Sequence, residues 1–138
     1  MTKNLPKPEL EERQARSAWG ESEEIHFRVS PSTRQWAARP HLWRPPTDLY
    51  ETEQAYVARV EIAGMQDAEL NIAIEGRQLA IYGLRQPPTE PAAYHQLEVR
   101  YGDFLSVLEL PGAIDSDHIQ ADYKDGFLLV TLLKESAA

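Results

Sequence analysis

The side chains able to do chemistry are limited in kind and poorly spaced for it. The four histidines, His26, His41, His95 and His118, are scattered, and no two have the His-x-x-x-His spacing that places both rings on one face of a helix. There is no cysteine, which excludes thiol catalysis, a cysteine-bound zinc and a disulfide scaffold. None of the seven glycines precedes a lysine, so the chain has no phosphate-binding loop of the Gly-Lys type and ATP use is not expected. Ser106 lacks the Gly-x-Ser-x-Gly frame of a nucleophile elbow. Carboxylates are abundant, and Glu51 and Glu53 are expected on one face of a strand. With nothing apolar beside them to raise a pKa, they read as solvated surface. No catalytic residue, cofactor or metal ligand is therefore assigned, and the chain reads as a non-enzyme.

What remains is the chemistry of apolar surface, and that depends on the elements presenting it. From residue 48 onward, apolar residues alternate with polar ones, the period of a half-buried strand. Tyr56, Ala58, Val60 and Ile62 share one face; Leu70, Ile72 and Ile74 repeat the pattern, and so do Leu79 and Ile81. Further strands are predicted around Tyr94–Glu98, 104–110, 118–123 and 127–132, with Asp125-Gly126 as a hairpin signal. Seven or eight short strands separated by turns predict an all-β, immunoglobulin-like antiparallel sandwich. Residues 8–18 suit a short helix, although its apolar face is thin.

Ahead of the sandwich lies an irregular arm. It carries Trp19, Trp36 and Trp43 and, late in the arm, Pro31, Pro40, Pro45 and Pro46; Pro87, Pro88 and Pro91 cluster in one internal loop. Trp43 is expected to pin the arm on the sandwich, and Trp36 to be available to a binding partner. The predicted organisation is an arm over 1–46, partly disordered, a domain over 47–134 and a short tail over 135–138. Charge divides the same way. Residues 1–47 hold 8 Lys+Arg and 6 Asp+Glu, giving +2, and residues 48–138 hold 6 and 16, giving −10. So acidic a domain repels a phosphate backbone, so nucleic acid is not an expected partner. No signal-peptide run or membrane-length apolar run is present, which points to a cytoplasmic protein without a membrane partner.

Several segments, in order, resemble the alpha-crystallin domain of bacterial small heat-shock proteins. PPTDLYETEQAYVARVEIAG (45–64) is similar to the family's opening strands, EGRQLAIYGLR (75–85) to its Leu-x-Ile-x-Gly-x-Arg hairpin, and YHQLEVRYGDF (94–104) to the strand and link after its long loop. ADYKDGFLLV (121–130) carries the Ala-x-x-x-x-Gly-x-Leu signature through Ala121, Gly126 and Leu128. The resemblance implies an ATP-independent holdase that binds unfolding client proteins. It also implies a homodimer, or a small oligomer, formed by exchanging a strand at Tyr94, His95, Gln96, Leu97 and Glu98. By the same resemblance, a client or partner groove is lined by Leu70, Ile72, Ile74, Ile119, Ala121 and Tyr123; the plainer reading is that some of these are core.

Three departures from the family pattern stand out. Ser106 replaces a usual arginine, the chain stops at LLKESAA without an Ile/Val-x-Ile/Val tail, and the arm lacks Phe-rich segments. Large tail-linked assemblies are therefore not expected. In place of the tail, Ile25, Phe27 and Val29 alternate as a docking strand would, and are expected to cover a sandwich edge reversibly. Burying those three would contribute on the order of 5–8 kcal/mol, against roughly 5–10 kcal/mol for ordering five residues. The alternative function is a CS-domain-like co-chaperone or interaction module, which would normally lack the long loop at 85–101. An enzyme or carbohydrate-binding sandwich using the arm's tryptophans ranks third.

Overall fold

The alternating segments build two packed sheets in the computed structural model, which describes residues 11–14, 26–30, 42–65 and 69–136. Nine strands are present among the described residues: β1 (Glu11–Gln14), β2 (His26–Ser30), β3 (Thr47–Glu51), β4 (Ala55–Glu61), β5 (Glu69–Glu75), β6 (Gln78–Arg85), β7 (Gly102–Glu109), β8 (Ile114–Lys124) and β9 (Phe127–Lys134). One sheet runs β1-β2-β5-β6-β7 and the other β3-β4-β9-β8. Every pairing within β3–β9 is antiparallel, and short turns join β3 to β4, β5 to β6 and β8 to β9, as antiparallel neighbours permit.

The core forms where the inward faces meet. Ala58, Val60, Ile62, Leu70, Ile72, Leu79, Ile81, Phe104, Leu110, Leu128, Val130 and Leu132 are all inaccessible to solvent. Each comes from a position at which strand period alone puts an apolar side chain on the buried face. The β8–β9 hairpin turns at Asp125 (φ 53°) and Gly126 (φ 81°), the doubly positive pattern of a type I′ turn. At Gly126 a side chain would also be crowded, since a Cβ there would lie 3.2 Å from that of Ala63.

Three local expectations need correcting. Glu11–Gln14 are strand, not the helix predicted over 8–18. They pair antiparallel with β2, and ladder hydrogen bonds satisfy a backbone whose helix had little apolar face to bury. Glu53 lies in the turn after β3, so it shares no strand face with Glu51. Tyr94–Glu98 join neither sheet and are exposed throughout, so the chain by itself supplies no strand there. A lone extended segment with no neighbouring edge has nothing to bond its backbone to.

Candidate functional site

The two flanks of the sandwich differ. At one flank β7 faces β3, and Ser106 and Thr47 join the sheets through a hydroxyl pair at 2.8 Å. Ser106 is fully buried, and Thr47 donates onward to the Pro45 carbonyl at 2.9 Å. Where the resemblance led one to expect an arginine, a short neutral contact closes the sheets. Just outside, Trp43 caps the β7 edge with two backbone hydrogen bonds, its N–H to Asp103 O and its O from the Leu105 N–H. Its indole is nearly buried and tilts against Phe104, ring centroids 5.6 Å apart. The packed unit thus reaches back before residue 47. Trp19, Trp36 and Ile25 lie outside the described residues, as does His41.

The other flank, where β5 and β8 are the last strands of β3–β9 in their sheets, holds the six residues assigned to a groove. Leu70, Ile72, Ile74, Ile119, Ala121 and Tyr123 all face inward, none more than 8% exposed, and all belong to one core cluster. The Tyr123 hydroxyl is already committed: it donates to Ile62 O at 2.8 Å and accepts from the Met65 N–H at 3.3 Å. That tie between β8 and the β4–β5 connection left no trace in the sequence, since a strand tyrosine at an inward position reads only as bulk.

Strand β2 lies along the outer edge of β5. It runs parallel, with Phe27 opposite Leu70 and Val29 opposite Ile72 in the register, and Val29 packs half-buried against the core cluster. β1 then adds outside it with the residues Glu11, Glu12, Arg13 and Gln14. A strand so polar and charged at the outermost position discourages further strand addition.

The loop over 86–101 is exposed at every residue, and it carries Tyr94 (55% exposed), Leu97 (69%) and Val99 (60%). With His95, Gln96 and Glu98, also exposed, they make a surface that is apolar in part and lies outside both sheets. Its hydrogen bonds among the described residues converge on the Arg100 carbonyl, and both come from Arg85. Arg85 was legible only as part of a quoted segment. A charged residue ending a strand gives no periodic signal of what it will reach.

Titratable groups add little. His118 Nδ1 meets Asp115 Oδ2 at 2.7 Å on the surface. The Asp115 carboxyl is held below its ordinary value, first by the Asp117 backbone N–H and then by His118. Among the described residues no group of three or more His, Asp or Glu is placed to hold a metal ion, and no helix is long and apolar enough to cross a membrane.

Comparison with known proteins adds a consistent set of similarities. The profile of the Hsp20/alpha crystallin family matches residues 48–138. Small heat shock protein C4 of Rickettsia felis is 33% identical over 93 residues, covering 66% of this chain and 57% of that protein. The 19.0 kDa class II heat shock protein of Oryza sativa is 32% identical over 124 residues, covering 82% of this chain and 71% of that one. Among solved structures, hspA from Xanthomonas axonopodis superposes with a TM-score of 0.63 at 28% identity, covering 70% of this chain and 98% of that one. The chain thus spans less than two thirds of the Rickettsia protein's length.

Proposed function

The chain belongs to the Hsp20/alpha crystallin family, and from that premise we propose that it is an ATP-independent holdase, which binds partly unfolded proteins and keeps them from aggregating. The observation that carries this reading is the way the sandwich edge is covered. β5 contributes Leu70 and Ile72 to the core, and its outer edge is bonded to a strand contributed by the arm, from outside the matched domain. A cover supplied by a short separate segment opens at far lower cost than the sandwich unfolds. Once opened, it presents backbone donors, acceptors and apolar side chains to another extended chain.

On this reading Ile25, Phe27 and Val29 form the docking strand, and Leu70, Ile72, Ile74, Ile119, Ala121 and Tyr123 surround the surface that the strand protects. Tyr94–Glu98 serve as the exchanged strand of a homodimer, finding in a second copy the edge that their own chain does not offer them. The exposure of Tyr94 and Leu97 supports this assignment, because burial at an interface removes both from water. The long loop also separates this reading from a CS-type co-chaperone. No reaction is assigned, and the working compartment is the cytoplasm.

The test is to heat an aggregation-prone protein with and without an excess of this chain, no nucleotide added, while following light scattering. Suppressed scattering is expected. Equal clumping in both samples overturns the holdase reading.

A further inference from the structure

Arg85 ends strand β6, and its guanidinium serves three segments that are distant in sequence. Nε donates to the Arg100 carbonyl at 2.8 Å and a terminal nitrogen donates to the same oxygen. The other terminal nitrogen donates to the Ala63 carbonyl at 3.3 Å. The flat face lies 4.5 Å from the centre of the Trp43 ring and 5.4 Å from that of Tyr101. Trp43 completes the circuit by donating its indole N–H to the Gly102 carbonyl at 3.2 Å. Gly102 sits at φ 94°, a conformation that a side chain would resist.

We propose that Arg85 is a latch coupling the last anchor of the arm, Trp43, to the returning stem of the 86–101 loop, so that neither is released alone. Two features support coupling over mere proximity. The stem's hydrogen bonds among the described residues come from Arg85, whose guanidinium also lies over the Trp43 ring. Trp43 in turn holds Gly102, two residues beyond the carbonyl that Arg85 grips. Only a planar guanidinium can bond edge-on to carbonyls while stacking on an indole; a lysine at this position could do one or the other. The functional consequence rests on the roles proposed above for arm and loop: loosening the arm frees the segment assigned to subunit exchange, so client access and dimer exchange rise together.

Trypsin reads the latch directly, because the bond it cleaves after Arg100 belongs to the carbonyl that Arg85 holds. Arg85→Met is expected to raise the rate of that cut roughly tenfold, the scale set by a lost stacked cation. Trp43→Phe keeps an aromatic ring but loses the indole N–H. It is expected to raise the same cut several-fold, although Trp43 does not bond to Arg100. The double variant should cut less fast than the product of the two effects. If Trp43→Phe leaves the Arg100 cut at the parent rate, or if the two effects multiply in full, the contacts are independent and the latch is wrong. Should Arg85→Met lose its far-ultraviolet strand signal, Arg85→Lys keeps the charge and stem and is read the same way. The assay uses the isolated chain without client. A coupled latch with unprotected clients therefore refutes only the holdase reading, and protected clients with uncoupled cuts refute only the latch.

Discussion

Ala121, Gly126 and Leu128 were recognised as a pattern, and each now has a separate physical reason. Ala121 and Leu128 are at most 1% exposed within the core, while Gly126 supplies the positive φ of the hairpin and lets Ala63 approach. Gly126→Ala should therefore lose about 2–3 kcal/mol in urea unfolding, part from the left-handed backbone and part from the contact. Placing it in an Ala63→Gly background should return only the second part. Tyr123→Phe leaves the Ile62 carbonyl and the Met65 N–H without their buried partner. A loss of about 1–3 kcal/mol is expected by the same measurement, and a neutral result would mean that water replaces the hydroxyl. Ser106 shows the opposite economy. Its neutral pair with Thr47 closes the sheets with no buried charge to compensate.

Strands β4 to β9 were legible because alternation specifies a face wherever one side of a sheet is buried, and Gly or Asp-Gly turns mark the ends. The helix predicted over 8–18 failed for the converse reason. Glu11, Glu12, Arg13 and Gln14 have good helical propensity, but a ladder with β2 satisfies their backbone, and propensity is a weak prior beside tertiary pairing. If β2 is a removable cover, Phe27→Ser combined with Val29→Ser should increase binding of a hydrophobic dye at moderate temperature. The β5–β6 ladder should stay protected in hydrogen exchange. Unchanged dye binding would make β2 a permanent edge strand, or one whose release exposes nothing apolar.

For the whole molecule the question is which edges and loops are covered within one copy and which are left exposed. Trp43 covers the start of the β7 edge and β2 covers the β5 edge, whereas 86–101 pairs with neither sheet. Replacing residues 88–99 by a short polar turn should leave the far-ultraviolet strand signal unchanged, because those residues contribute nothing to the core. If the dimer proposed above forms through this loop, the same replacement should reduce the mass in solution to that of a monomer by light scattering. A dimer that survives the replacement would move the interface elsewhere.

The order of apolar and polar residues was enough to predict a β-sandwich and its turns, because these depend on local period, while the family followed from the resemblance of four ordered segments and from the match over residues 48–138. Only the tertiary structure decided that β2 lies parallel on β5, that Tyr123 bonds the β4–β5 connection, and that Arg85 reaches Ala63, Arg100 and Trp43 together. Strand pattern says which face is buried but not which edge or direction a segment will choose. That choice depends on donors and acceptors left open by chain dozens of residues away, which no local pattern records.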